Sequence, residues 1–242
     1  MSLYSIAYGD ERICFSLRFL PRPQRKVAIH VTPDGAVQVD APEGAALPEV
    51  KQAVRQRAGW VWQQLQALRA RKKHVLPREY VSGETHFYLG RRHMLKVRPA
   101  LDEPPGVRLW RGHLEITTVK RDAQTVRRLL EDWYRERAAE AFARVIAEVS
   151  PRIGLRRGLP PFRLLSMRTQ WGSCSPKGEV LLNPHLVKAP KACIEYVVAH
   201  ELCHLKENNH SERFYHQLGR VLPDWAARKA ELDNMAELLL NR

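Results

Sequence analysis

No apolar run of about 18 residues occurs anywhere in the chain, so no membrane-crossing helix is expected. A secretory leader is not expected either, because "MSLYSIAYGDERICFSLRFL" is interrupted by Asp10, Glu11, Arg12 and Arg18 before an apolar core can form. Cysteine is scarce. The four present, Cys14, Cys174, Cys193 and Cys203, form no C-x-x-C pair. That excludes a zinc ribbon, a knuckle or a redox dithiol, and fits reduced thiols in a cytoplasm. Acidic side chains are also in short supply, 26 Asp plus Glu against 40 Lys plus Arg, which leaves a formal charge of +14. Such a surplus attracts polyanions (nucleic acid, nucleotides or acidic protein) without choosing among them. The sequence shows no internal repeat and no low-complexity segment.

Apolar material, by contrast, is ample. A 44% hydrophobic share over 242 residues suffices for one large domain or two small ones. Residues 14 to 42 alternate apolar and polar in "CFSLRFL" and "RKVAIHVTPDGAVQVDAP", with Pro33-Asp34-Gly35 as the turn of a hairpin. From Pro48 to Lys73 the spacing of Val50, Val54, Trp60, Leu65 and Leu68 predicts a helix. Lys51, Arg55, Arg57 and "RARKKH" (69 to 74) give it a basic side. Strands are expected in "THFYLGRRHMLKVRPA" and "VRLWRGHLEITT", separated by the loop Asp102-Glu103-Pro104-Pro105-Gly106. A long amphipathic helix follows from Asp122 to Val149, with Val126, Leu130, Trp133, Phe142 and Ile146 recurring at three and four. In "FRLLSMRTQWGSCSPKGEVLLNPHLVKAP" two β-like runs flank Ser175-Pro176-Lys177-Gly178, a second hairpin. The expected class is α+β: a β-rich region with one inserted helix over 1–120, then a largely helical domain over 121–242. Trp60, Trp62, Trp133 and Trp171 are expected in the core.

The chemistry concentrates in "KACIEYVVAHELCHLKENNH". No Pro or Gly interrupts Lys191 to Lys206, and apolar positions recur at helical spacing, so a helix is expected. Residues four apart stack on one helical face about one turn apart, which lets the His200 and His204 imidazoles grip one cation. Glu201 flanks the pair, placed to reach a cation-bound water without becoming a ligand. Zinc suits such a site, taking neutral imidazole nitrogen and holding three protein ligands plus water. With a coordinated water lowered in pKa from about 15.7 towards 7, Glu201 is the candidate base. Two histidines alone bind weakly, and the residues offer several third ligands. His210 leads, six residues on across Asn208-Asn209, which can turn the chain; Glu212 and Glu231 come next, and His216 lies behind a new helix capped by Ser211. Metzincins use the same 0, 4, 10 spacing with a glycine at the turn, where Glu207 stands here. Cys203, beside the histidines, is expected as a small buried residue.

The segments "MRTQWGSCSPKGEVLLNPHLVKAP" and "YVVAHELCHLKENNHSERFY", together Met167 to Tyr215, resemble the YgjP-like metallopeptidases, a zincin family related to SprT and WLM domains. The N-terminal half resembles it more loosely, through "RKVAIHVTPDGAVQVDAP" and the helix after it. The resemblance implies zinc held by His200, His204 and His210, with Glu201 as general base. It also implies a minimal zincin core in which the edge strand of a small sheet lines the cleft, placed at Glu179 to Asn183 with Glu179, Leu181 and Asn183 towards substrate. SprT-type proteins that act on DNA-crosslinked protein carry a four-cysteine zinc ribbon that has no counterpart here.

Arg168 is a candidate for binding a substrate carboxylate or phosphate. Asn209 and Ser211 flank His210 and are candidates for orienting its ring or capping a helix. Cys174 lacks a separate His partner and is not expected to be a nucleophile. Together these residues predict a cytoplasmic zinc-dependent metallopeptidase acting on peptide or protein. Two alternatives share the sequence: hydrolysis of a nucleotide phosphoanhydride at the same site, and a basic nucleic-acid-binding protein with a structural metal.

Overall fold

Period-2 patterning in the first 42 positions produces four strands in the computed structural model, which describes all residues except 1, 10, 21–26, 33–34, 73–76, 102–103, 156–157, 168–169, 176–177 and 242. They are β1 (Ser2–Tyr8), β2 (Glu11–Leu20), β3 (Ala28–Val31) and β4 (Val37–Pro42), in the order β1-β2-β4-β3. β3 and β4 form the expected hairpin, whose turn residues Pro33 and Asp34 lie outside the described residues. The central β2–β4 pair is parallel. Alternate residues Ile13, Phe15, Leu17, Val37 and Val39 are buried, and α1 (Leu47–Gln56) and α2 (Ala58–Lys72) pack Val50, Val54, Ala58 and Val61 against them.

The single helix expected over Pro48–Lys73 is thus two. Arg57 interrupts it with φ −106° and ψ 7°, its N–H turning back to Val54 O in a tighter turn. The inward face nonetheless runs on across the break at steps of four and three, and Trp60 stands about 120° from it. Ala58 and Val61 go inward, Trp62 and Leu65 pack at the margin, and Trp60 points out with 44% exposure instead of joining the core. On the proposed basic side, Lys73 and His74 lie outside the described residues.

The chain divides into two compact units, Met1–Leu76 and Pro77–Arg242, whereas the sequence reading divided it at 120/121. The difference has a packing cause: β5 (Thr85–Tyr88), β6 (Arg91–Pro99), β7 (Gly106–Trp110) and β8 (His113–Thr118) share a core with the long helix α3 (Ala123–Ile153). Leu95, Leu114 and Ile116 are buried in one cluster with Val126, Leu130 and Tyr134, and the Tyr134 hydroxyl donates to Phe87 O at 2.7 Å. Among the expected loop residues between β6 and β7, Asp102 and Glu103 lie outside the described ones. The order of this sheet, β5-β6-β8-β7 with β6 and β8 parallel, repeats that of the first. Each sheet also buries one acid on its second central strand, Asp40 in β4 and Glu115 in β8, beneath cationic side chains of its neighbours. Here is a topological repeat that sequence self-similarity does not reveal.

Asp122 caps α3, accepting from Thr125 N–H at 2.9 Å, and Gly154 in the left-handed region (φ 80°) ends it one turn beyond the expected Val149. Three short strands follow, β9 (Phe162–Leu164), β10 (Gly172–Cys174) and β11 (Val180–Leu182), in the order β10-β11-β9. β10 and β11 form the second expected hairpin, of whose turn Pro176 and Lys177 lie outside the described residues. A 3₁₀ turn, Pro184–Lys188, leads to α4 (Lys191–Cys203), α5 (Glu212–Val221) and α6 (Trp225–Leu240). Phe142, Ile146 and Val149 of α3 pack with Ile194, Val198 and Leu202 of α4, and Trp133 and Trp171 join this core as expected. No helix among the described residues is long and apolar enough to cross a membrane. All four cysteines are free thiols, and burial pushes Cys203 up to about 11.

Candidate metal centre

Helix α4 is apolar on nearly every side, as its central position demands: Ile194, Val197, Val198, Ala199, Leu202 and Cys203 are all buried. Its last turn carries His200 and Glu201. The helix ends at His204, whose N–H reaches back to Glu201 O at 3.2 Å. The chain then tightens, with Lys206 and Glu207 N–H both donating to Cys203 O at 3.0 Å. No left-handed residue is needed at Glu207, which is absent from the positive-φ positions, so the glycine used in metzincins is dispensable in this turn.

That turn returns His210 to the other two histidines. Ring centroids are 5.0 Å apart for His200–His204, 4.9 Å for His200–His210 and 4.6 Å for His204–His210. One ring nitrogen from each lies within 4.8 Å of the others, the one such His/Cys/Asp/Glu cluster among the described residues. His200 Nε2 and His210 Nε2 face each other at 2.9 Å. His204 Nδ1 sits 3.0 Å from Glu207 O; a carbonyl oxygen only accepts, so Nδ1 carries the proton and Nε2 of the neutral ring keeps its lone pair. His200 is held neutral, its pKa lowered to about 3 by burial first and then by the neighbouring His210 and His204. His200 Nδ1 is buried without a hydrogen-bond partner.

Phe214 was not foreseen. Fully buried at the start of α5, it lies 4.9, 4.6 and 4.8 Å from the His200, His204 and His210 rings and stacks on His204 at 29°. The signal was Ser211, whose hydroxyl accepts from Phe214 N–H at 3.4 Å and caps α5, placing the helix's first buried side chain under the cluster. Ser211 therefore acts as a cap, and Asn209 gives its carbonyl to Ser211 N–H at 2.7 Å. The other ligand candidates lie elsewhere. Glu231 accepts from the Cys193 thiol at 3.6 Å, and Glu212 and His216 line a cavity of about 470 Å³ with Lys206, Arg213 and Arg220.

Glu201 is 6% exposed, and burial pushes its carboxyl up to about 8. β10 lies directly on it. A Cβ built on Gly172 would meet Glu201 Cγ at 2.7 Å, Oε1 at 2.9 Å and Cδ at 3.0 Å, so only glycine leaves room for the carboxylate. Sequence reasoning singled out Trp171 and Cys174 around it and passed over Gly172, since that demand comes from a helix 29 residues later (201 − 172 = 29).

The edge strand is also β10 and not the segment Glu179 to Asn183. β11 is paired on both sides, antiparallel to β10 and parallel to β9, because Phe162–Leu164 returns to take its far edge. Glu179 is engaged by Arg163 at 2.5 and 2.7 Å, and Leu181 is half-buried in the middle strand. Asn183 is fully buried; its amide donates to Met167 O and Gln170 O at 2.8 and 3.1 Å, and its Oδ1 accepts from His185 N–H at 3.2 Å. These contacts are structural. Arg168 lies outside the described residues.

No curated protein matches this chain. Two solved structures are similar over 40% of it. One is the metallopeptidase zymogen abylysin of Pyrococcus abyssi, 23% identical, with 94% of that chain covered and a TM-score of 0.36. The other is the metallopeptidase zymogen jannalysin of Methanocaldococcus jannaschii, 21% identical, with 89% of that chain covered and a TM-score of 0.35. The model of one family, described as "YgjP-like, metallopeptidase domain", matches residues 25–235, most of the 242 residues, and the chain belongs to that family.

Proposed function

We propose that this protein is a zinc-dependent peptidase in which His200, His204 and His210 hold the metal and Glu201 is the general base. The carrying observation is the convergence of three imidazoles over Phe214, one nitrogen of each within 4.8 Å of the others. The donors fit zinc: two ring nitrogens facing each other at 2.9 Å call for a shared cation or proton, and His204 is already fixed as the tautomer with Nε2 bare. Bound zinc supplies Lewis acidity, polarising a scissile carbonyl and acidifying water.

The chain's own residues do the rest. Glu201, dry and clamped under Gly172, accepts the proton of the attacking water and returns it to the leaving amine. A peptide is positioned by β10. Asn183 N–H donates to Trp171 O and Ser175 N–H to Glu179 O, so alternate residues of the strand bond inward. Gly172 and Cys174 then turn their N–H and C=O groups to the opposite edge, which no strand among the described residues occupies. An extended substrate adds there as a fourth strand, fixed by main-chain hydrogen bonds beside the base.

The test is Glu201→Gln in the zinc-loaded full chain, assayed on a peptide library with nucleoside triphosphates as a parallel panel. Peptide cleavage falling roughly 10²- to 10⁴-fold with zinc stoichiometry unchanged is the expected result. Undiminished cleavage in that variant, or hydrolysis confined to nucleotides, overturns the reading.

A further inference from the structure

The second sheet has an outward face that the centre does not use. Residues paired across strands share a face, so the register defines its rows. One row is Thr85, Met94, His113 and Trp110; the next is Lys96, Glu115 and Arg108; the third is Arg98 and Thr117. Rows stand about 7 Å apart along the strands and neighbours within a row about 5 Å apart.

Two features set this face apart from an ordinary solvated one. The first is a charge cluster organised from beneath. Glu115, with its side chain 5% exposed, receives Arg98 at 2.9 Å, Arg108 at 3.0 Å and Lys96 at 3.9 Å. Three cations on one carboxylate leave two positive charges (3 − 1 = 2), and the three side chains remain 45 to 56% exposed. They are held in place yet keep N–H groups for a further anion, which lowers the ordering cost of binding. No other acid stands at an outward position of these strands, and Arg92, over the Phe87 ring at 5.8 Å, adds another cation.

The second is the row beside that cluster, in which Trp110 and Met94 flank His113. Trp110 is 52% exposed and Met94 51% exposed, at opposite ends of three adjacent strands. Arg111 follows in the left-handed region (φ 46°), unusual for a residue with a side chain, and its guanidinium lies 5.5 Å from the Trp110 ring centroid. A tryptophan with one face against arginine and half its surface open, one row from fixed cations, has the makings of a base-stacking platform.

We infer that this face binds single-stranded nucleic acid, bases on the Trp110–Met94 row and phosphates on Lys96, Arg98 and Arg108. Duplex is disfavoured because its bases are stacked on one another and offer Trp110 no open ring face. Acidic protein matches the charge but has no planar group to repeat along the Trp110–Met94 row.

The test uses the full chain and a fluorescein-labelled 15-nucleotide single strand, followed by anisotropy at 50 to 200 mM salt. With three cations engaged (Lys96, Arg98 and Arg108), the log–log salt slope is expected near −2, from about −0.7 per phosphate. Trp110→Ala should weaken binding roughly 5- to 150-fold while Trp110→Phe restores most of it. Lys96→Ala, at a half-exposed position, should reduce the slope by about 0.7. Peptide cleavage should be unchanged in all three. Duplex or polyglutamate competing as well as the single strand, or binding indifferent to both Trp110→Ala and Lys96→Ala, overturns the inference.

Discussion

Replacing Gly172 by alanine asks whether the carboxylate under β10 has to stay where it is. Gly172 does not adopt a positive φ, so alanine is allowed by the backbone and the effect is steric. The new methyl carbon would stand 2.7 Å from Glu201 Cγ, and ordinary contact begins at 3.4 Å, so the side chain must retreat by about 0.7 Å (3.4 − 2.7). The atoms met are the mobile end of a side chain, but one in a buried position, where overpacking costs roughly 1 to 3 kcal/mol. A displacement near 1 Å at a catalytic group costs about 10²-fold in rate. Gly172→Ala should therefore lose about two orders of magnitude in kcat, take up zinc to the same extent as the parent, and unfold at a slightly lower urea concentration. Steady-state kinetics on a fluorogenic peptide, atomic emission for zinc and urea unfolding separate these outcomes. A variant that keeps kcat within two-fold while Glu201→Gln is inactive would refute the steric placement of the base.

Asn183→Ala strips hydrogen bonds from Met167 O, Gln170 O and His185 N–H in the interior and should cost about 3 kcal/mol in urea unfolding, with KM for peptides unchanged in the folded fraction. A raised KM at unaltered stability would return Asn183 to substrate binding. His86 is 3% exposed, and burial, then the charge of Arg78, hold its pKa at about 4 against 6.5. The folded chain consequently binds fewer protons there than the unfolded one; stability is intact above pH 6.5 and lost as pH falls towards 4, by about 2 kcal/mol at pH 5. His86→Gln should shrink the gap between unfolding free energies at pH 7 and pH 5 by that amount, and an unchanged gap contradicts the assignment.

The parts legible in the sequence are those whose cause is local. The α4 helix follows from an uninterrupted apolar stripe, the two hairpins from alternation around turn residues, and α3 from its period and its Asp122 cap. Where the cause is remote, pattern reading missed it. β11 has an edge-strand sequence but is the middle strand, because Phe162–Leu164 pairs with it from 18 residues upstream (180 − 162 = 18). Trp60 is a misreading of the local period, because it stands about 120° from the face that Val50, Val54, Ala58 and Val61 bury. The strand β1 needs just one fully buried apolar side chain, Ile6, too little alternation to be seen, and the shared order of the two four-stranded sheets lies in hydrogen bonding alone. Within the centre, the three histidines and Glu201 stand out by spacing. Phe214 and Gly172 support them through contacts no local pattern encodes.

The turn between β5 and β6 illustrates what such remote contacts imply for dissecting the molecule. Leu89 and Gly90 N–H donate to Val187 O and Lys188 O at 2.9 and 3.0 Å, and a Cβ on Gly90 (φ 79°) would stand 2.9 Å from Pro190 Cα, at the first turn of α4. The hairpin is thereby a splint on the stem of the histidine helix. A catalytic fragment excised at residue 121 would leave those carbonyls without donors and strip α3 of its sheet, so any minimal peptidase cut from this chain has to start upstream of Tyr80.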